Sequence, residues 1–336
     1  MKTILVSGGL GFIGSHTVVE LLNSGFNVII IDNLVNSSIN VMTKIIEIAK
    51  ITDKSRLKYS NIDIRNRIQL ENLFTNNSIY AVIHFASLKA VGESIKTPLE
   101  YYDNNVAGTI NLLQIMTKYN CKRIIFSSSA TVYGTNEYPV REDATTGCGI
   151  TNPYGKTKYM LENILEDLYK SDNSWSVVIL RYFNPIGAHP SGLIGENPND
   201  IPNNLFPYLL KVAAGKLEKL RIFGNDYNTR DGTCIRDFIH VVDLARGHIA
   251  SLKKLDGSGI NTYNLGTGKG TTVLELICAF ERVNGIKLNY EFTNRRDGDL
   301  AVVFANSEKA LLEIGWEAHY TVDDMCQHGY NFIKNL

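Results

Sequence analysis

The sequence carries no excess of charge. Its 34 Lys and Arg are matched by 34 Asp and Glu, a formal net charge of zero at pH 7. That leaves no net field to attract nucleic acid or an acidic membrane, so neither is expected as a partner. Cysteine is sparse: Cys121, Cys148, Cys234, Cys278 and Cys326 are scattered, odd in number and form no Cys-x-x-Cys pair. A disulfide framework is therefore excluded, and buried free thiols in a reducing, cytoplasmic setting are expected. No apolar run reaches the ~18 residues of a membrane span. The opening "MKTILVSGG" turns to glycine too soon for a signal peptide. The seven histidines lack metal-ligand spacing such as HExxH, so no metal is expected. Repeats and low-complexity stretches are also missing. The remainder is ordinary for a soluble globular protein, with 44% hydrophobic and 20% charged residues.

At 336 residues the chain exceeds the usual size of a single core. Short β-rich apolar runs recur: "TILVSG", "NVIIIDN", "AVIHFAS", "RIIFSSS" and "WSVVILRYF". Between them lie segments with helical spacing, such as "SHTVVELLNSG" and "AGTINLLQIMTKYN". Strands apolar on both faces that alternate with helices indicate a parallel sheet covered by helices. The pattern predicts an α/β fold: a doubly wound parallel sheet (Rossmann) over residues 1–183, with a smaller C-terminal α/β substrate lobe over 184–336. A segment near 239–261, around "IHVVDLARGHIASL", is expected to return to the large domain. Smaller α/β pieces are expected around "TYNLGTG" and "LAVVFANSEKALLEIG". The stretch "NPIGAHPSGLIGENPNDIPNNLFPYL", rich in Pro, Gly and Asn, is too long for an idle connection.

The first strand ends in "SGGLGFIGSH", which places Gly8, Gly11 and Gly14 between a strand and a helix. A dinucleotide pyrophosphate needs such a turn: tight, open to close backbone approach and followed by helix N–H donors. The second strand ends in Asp32. A carboxylate there can accept from an adenosine ribose and would repel a 2′-phosphate, which favours NAD over NADP. Asp63 follows a third strand and suits either an adenine amino group or a helix N-cap.

In "RIIFSSSATVYG" an apolar strand runs into a cluster of hydroxyls. About 25 residues on, "NPYGKTKYM" puts Tyr154 and Lys158 four apart, on one face of a helix that Asn152 or Pro153 could start. A phenol of pKa about 10 is a poor base at neutral pH. A lysine ammonium one turn away favours phenolate, which can then take a hydroxyl proton as hydride leaves the same carbon. Ser129 can orient that hydroxyl, whereas Ser127 and Ser128 are expected to satisfy strand-end backbone groups.

The chain resembles the extended short-chain dehydrogenase/reductase family, and within it the UDP-hexose 4-epimerases. The resemblance covers nearly the whole chain. It rests on "GGLGFIGSH", "HFASLKAVGES", "YYDNNVAGT", "SSSATVYG", "NPYGKTK", "RYFNPIGAHPSG", "IPNNL", "IFGNDY", "DGTCIRDFIHV" and "RRDGDL". It implies NAD contacts at Phe12 and Ile13, and at Asp32, Asn33, Leu34, Val35, Asn36 and Ser37. It implies the same for Asp63, Ile64, Phe85, Ala86, Ser87, Leu88 and Lys89, and for Asn104, Ser129, Tyr154, Lys158 and Phe183. Contacts to a nucleotide sugar are implied at Ser129, Tyr154, Asn184, Asn204, Leu205, Arg221, Ile222, Phe223, Arg236, Arg296, Asp297, Gly298 and Asp299.

The residues themselves agree with these assignments. Arg236 and Arg296 carry the guanidinium fork that matches pyrophosphate oxygens; the alternative is ion pairing with Asp237 or Asp299. Asn184 and Asn204 offer amides to phosphate or sugar, or could cap turns. Phe238 departs from the family pattern, where tyrosine is frequent.

Related dehydratases resemble one another in an Asp-Glu pair just after the strand-end hydroxyl. Ala130 and Thr131 stand there in this chain and cannot perform elimination. The resemblance therefore implies epimerisation at C4 of UDP-glucose and UDP-galactose, through a 4-keto sugar that turns over in the pocket, with NAD regenerated each cycle. A dehydrogenase or dehydratase and a non-catalytic NAD-sensing protein are the alternatives. The resemblance also places Val303 in the hexose pocket, where a small residue leaves room for N-acetylated UDP-hexosamines. It implies a homodimer as well. The helices of "NNVAGTINLLQIMTKYN" and "GKTKYMLENILEDLYK" are candidates for the interface, although their apolar faces could equally be core packing.

Overall fold

A computed structural model describes residues 1–198, 202–296 and 298–336. The main sheet is built from the doubly apolar runs: β1 (Thr3–Ser7), β2 (Asn27–Asp32), β3 (Leu57–Asn61), β4 (Ala81–His84), β5 (Arg123–Ser129) and β6 (Ser176–Tyr182). Two-residue to seven-residue strands follow: β7 (Asn184–Ile186), β8 (Leu220–Phe223), β9 (Ile235–Arg236), β10 (Phe238–His240), β11 (Gly259–Leu265), β12 (Thr271–Thr272), β13 (Tyr290–Thr293) and β14 (Val302–Val303). The seven-stranded sheet has the order β11-β6-β5-β4-β1-β2-β3. β1 pairs in parallel with both β2 and β4, so the winding reverses there. That is the doubly wound arrangement, whose switch point opens at the carboxyl ends of the strands.

The helices are α1 (Phe12–Asn23), α2 (Asn40–Ile48), α3 (Arg67–Asn76), α4 (Val91–Lys96), α5 (Pro98–Tyr101), α6 (Gly108–Lys118) and α7 (Pro153–Ser171), then α8 (Leu205–Ala213), α9 (Val241–Ser251), α10 (Val273–Asn284), α11 (Glu308–Ile314) and α12 (Val322–Lys334). Leu112, Leu113, Ile115 and Met116 of α6 and Leu161 and Leu165 of α7 pack on Val82, Ile124, Phe126, Val177 and Ile179 of the sheet. Each such fully buried side chain contributes about 1.5–3 kcal/mol. Tyr102–Ala107 form a π-helical turn between α5 and α6.

Two compact units are present. One comprises residues 1–134, 145–181 and 245–263; the other comprises 135–144, 182–244 and 264–336. The second unit has its own core, in which Phe206, Leu209 and Leu210 of α8 meet Leu276, Ile277 and Phe280 of α10 and Met325 of α12. The run "TYNL" does not belong to a small α/β piece. It lies in β11, the edge strand of the large sheet beside β6. No helix among the described residues is long and apolar enough to cross a membrane. All five cysteines are free, but Cys148 and Cys278 are exposed rather than buried.

Candidate active site

The turn between β1 and α1 uses its glycines for two different reasons. Gly8 has φ of +71°, and a Cβ there would stand 2.8 Å from the Ala86 nitrogen. Gly14 has ordinary helical geometry, but a Cβ would collide with the Gly8 carbonyl oxygen. Gly11 is the N-cap of α1, and no side chain caps that helix. Its first-turn N–H groups, at Phe12, Ile13 and Gly14, therefore form an anion-receptive end.

Asp32 organises the neighbouring loop. Its carboxylate accepts from Leu10 N at 3.0 Å, Leu34 N at 3.0 Å and the Ser37 hydroxyl at 2.8 Å. A carboxylate offers about four acceptor sites, so one remains for a ribose hydroxyl. Leu34 has φ of 62°, and Val35 donates its N–H to Asn33 Oδ1 at 3.3 Å. Asp63 accepts from Asn33 Nδ2 at 3.0 Å and from Arg65, whose hydrogen bonds hold its carboxyl well below the usual range. It does not cap α3: Asn66 does, accepting from Gln69 N. Ile64 is buried against Gly108.

The loop after β4 closes over the same turn. Phe85 and Ala86 both donate their N–H to Ser7 O, and the Lys89 ammonium lies 5.9 Å from the centre of the Phe12 ring. Ser87 donates to Leu88 O. Asn105, on the π-helical turn, is buried with its amide fully used. It accepts from Leu88 N and Asn104 Nδ2 and donates to Leu88 O and Thr157 Oγ1.

At the end of β5 the hydroxyl cluster meets α7. Asn152 caps that helix, accepting from Gly155 N at 2.9 Å, and Pro153 occupies its first turn. Tyr154 and Lys158 consequently point the same way. The Ser129 hydroxyl is close enough to the Tyr154 phenol to favour its ionised form. Lys158 donates to Ser127 O at 2.7 Å, with its ammonium 5.8 Å from the centre of the Tyr154 ring. Burial pushes the phenol above its ordinary value, and the Ser129 hydroxyl opposes that. Burial pushes Lys158 down to about 7, against the pull of Glu162. Ser129 also accepts from Thr131 N and so caps the short turn Ala130–Tyr133. Ser128 corrects the expectation of a backbone role, because its hydroxyl donates to the buried carboxylate of Glu162.

In the second unit β9 and β14 pair in parallel, with Val303 opposite Arg236. Arg236 lies 3.7 Å from Asp299 and also donates to Leu300 O; Arg296 donates to the same Asp299 at 2.9 Å and lies 4.7 Å from the centre of the Phe223 ring. Asp237 pairs with neither arginine. It is buried and accepts from Thr267, Gly268 and Ala305. Arg221 is exposed beside Glu291, Ile222 is buried, and Gly298 has φ of 80°. Asn184 donates its N–H to Asp237 O, and buried Phe183 donates its own to Leu265 O. Asn204 stands at the N-cap of α8 and its side chain caps nothing, while Leu205 begins the helix. Phe238 is buried in the core of this unit. Asp297 lies outside the described residues.

The first unit thus gathers the glycine turn, Asp32, the 85–89 loop, Ser129, Tyr154 and Lys158. The second gathers Phe223, Arg236, Arg296, Asp299 and Val303. Sequence reasoning missed Asn105, Glu162 and Arg181. Glu162 alone had a local signal, sitting one further turn along the Tyr154–Lys158 face.

Residues 4–266 match the model of the NAD dependent epimerase/dehydratase family. The chain is 55% identical over 331 residues to the UDP-glucose 4-epimerase of Bacillus subtilis (strain 168), covering 98% of this chain and 96% of that protein. It is 52% identical over 338 residues to the bifunctional UDP-glucose 4-epimerase and UDP-xylose 4-epimerase 1 of Pisum sativum, covering 99% and 96%. The crystal structure of UDP-glucose 4-epimerase from Bifidobacterium longum in complex with NAD+ and UDP superposes with a TM-score of 0.96 at 50% identity, covering 99% of this chain and 98% of that one.

Proposed function

Because the chain belongs to the NAD dependent epimerase/dehydratase family, and within it to the UDP-glucose 4-epimerases, we propose that Tyr154, Ser129 and Lys158 interconvert UDP-glucose and UDP-galactose at C4. The chain is an NAD-dependent isomerase. The glycine turn suits the dinucleotide: a Cβ at Gly8 or Gly14 would fill it, and α1 presents an uncapped N-terminus. Phe12, Ile13, Asp32, Asp63 and the 85–89 loop would hold NAD, with Asp32 selecting against a 2′-phosphate. When bound, NAD would supply the hydride-accepting and hydride-donating chemistry at C4 and a positive charge.

The chain's own part is proton handling and orientation. Ser129 orients the 4-hydroxyl towards Tyr154, and the Tyr154 phenolate removes its proton. Lys158 favours the phenolate. The 4-keto sugar then presents its other face, and Tyr154 gives the proton back to the new alkoxide. Arg236 and Arg296 would exchange Asp299 for pyrophosphate oxygens, the fork geometry being the same. Asn184, Asn204 and Phe223 are assigned to the nucleotide sugar.

A single observation carries this reading: Tyr154 and Lys158 stand one turn apart on α7, with the ammonium 5.8 Å from the centre of the phenol ring, and Ala130 and Thr131 replace an acid pair after the strand-end serines. The set can move hydride and proton at C4 but has no group for elimination. Purified protein given UDP-galactose with no added NAD is expected to yield UDP-glucose. Stoichiometric NADH, or a 4-keto-6-deoxy sugar, would overturn the reading.

A further inference from the structure

β5 ends in three serines, and α7 meets each of them differently. The Ser129 hydroxyl favours the Tyr154 phenolate, Lys158 donates to the Ser127 carbonyl, and Glu162 accepts from the Ser128 hydroxyl. Residues 154, 158 and 162 are four apart and share one helical face. The third attachment has no place in the reaction as assigned above.

Glu162 is 3% exposed and Arg181 6%. The guanidinium grips the carboxylate with both prongs, Nε to Oε1 at 3.1 Å and Nη2 to Oε2 at 2.7 Å. Its remaining arm donates to the Tyr133 hydroxyl at 2.9 Å. Desolvation largely offsets the attraction in a pair so deeply buried, so stability alone is a poor reason for its presence. Its location between the catalytic helix and two strands suggests another use.

We infer that Glu162, held by Arg181 of β6 and Ser128 of β5, is a positioning residue for the epimerisation: it fixes α7 against the end of β5 and sets a carboxylate one helical turn from Lys158. The inference rests on Tyr154 being the base. One carboxylate bridging two strands fixes both the rotation and the slide of the helix. Ser129 is the next residue along β5, so its meeting with Tyr154 depends on that register.

The charge acts separately. Lys158 is faced by Tyr154 and Glu162 on α7 and by His84 on β4, with Arg181 on β6 behind Glu162. Burial holds His84 neutral, at about 3. Glu162 is therefore the anion among these groups. Its removal makes the site more positive by one charge. Lys158 then loses its proton more readily, and so does Tyr154. Both limbs of the pH profile of kcat should move to lower pH.

The test measures kcat and KM for UDP-galactose across pH, with rates normalised to bound NAD. Glu162→Gln is expected to shift both limbs to lower pH by roughly one unit. Glu162→Gln combined with Arg181→Met removes both charges and should return the limbs to their wild-type positions. Ser128→Ala keeps every charge. It should lose roughly tenfold or more in kcat, with KM and the limbs unchanged. Wild-type kcat in Ser128→Ala, or unmoved limbs in folded Glu162→Gln, overturns the inference. Should Glu162→Gln be insoluble, Ser128→Ala decides alone. Tyr154→Phe runs alongside: if it keeps the wild-type rate, the assignment of the base has failed. If it is inactive while Ser128→Ala is normal, only the positioning role has failed.

Discussion

A buried phenol is a worse base than an exposed one, and Tyr154 begins from that disadvantage. Burial raises its pKa, and only the Ser129 hydroxyl acts the other way. Lys158 does not bond the phenol; its ammonium is turned to the Ser127 carbonyl and is itself pushed down to about 7. The simple expectation, that a lysine one turn away suffices to ionise the tyrosine, is therefore incomplete in physical terms. Desolvation makes the lysine easier to deprotonate and so weakens its help to the phenol; NAD bound in this site would add positive charge. Tyr154→Phe should lose about 10²–10⁴ in kcat while keeping NAD and UDP-sugar binding. Lys158→Met should slow turnover and raise the apparent pKa of the tyrosine. Steady-state kinetics and the ultraviolet difference spectrum of the phenolate check both. An unchanged rate in Tyr154→Phe would mean that another group takes the proton.

At the scale of elements, β9 and β14 set Val303 and Arg236 side by side. Their parallel register sets Val303 directly across from Arg236. If Arg236 holds the pyrophosphate, Val303 faces what is attached to it. A valine leaves space that a tyrosine ring would fill, and overpacking a formed site costs about 1–3 kcal/mol. Wild type is expected to interconvert UDP-N-acetylglucosamine and UDP-N-acetylgalactosamine as well as the plain hexoses, and Val303→Tyr to lose only the N-acetyl activity. Both substrate pairs are compared on both proteins. A wild type inert towards N-acetyl sugars ends the idea, and equal N-acetyl turnover in the two proteins removes Val303 from it.

Elements of this kind differ in how far sequence could reveal them. The strands of the main sheet were legible because burial on both faces leaves unbroken apolar runs, as in Ile4–Val6 and Ile29–Ile31. The glycine turn and the Asn152 cap were legible because their chemistry is local. β11 was not, since "GINTYNL" is only half buried over its first residues and carries polar side chains. Ser128 was misread for a related reason: its partner Glu162 is 34 residues away and becomes a neighbour only when α7 packs on β5. Asp63 offered two readings, and Arg65 two residues on took the side chain away from the cap.

For the whole molecule, the assigned groups fall into two sets. The proton-transfer residues belong to the first compact unit, and the arginines assigned to pyrophosphate belong to the second. On α6 and α7, Leu112, Leu113, Ile115, Met116, Leu161 and Leu165 are core residues, so these apolar side chains are not available to a partner. Exposed apolar side chains near those helices include Val91 and Ile95 of α4, Leu99 of α5 and Met160 of α7, against which both short helices pack. Ile95 is 60% exposed and Leu99 80%. Val91 and Ile95 share one face of α4, and exposed apolar groups grouped on helices mark an association surface more often than a solvated one. A homodimer through this face is the expected state. A stable interface needs about 800 Å² from each partner, which four side chains do not supply, so the polar flanks of α4 and α7 must contribute the rim. Charge at the centre should be decisive, because the association would bury it unpaired on both copies at once. Sedimentation velocity is expected to give a dimer for wild type and a monomer for the double variant Ile95→Asp, Leu99→Asp, with bound NAD retained. A monomeric wild type would refute the assembly. A dimeric double variant would keep the assembly and move its interface away from α4 and α5.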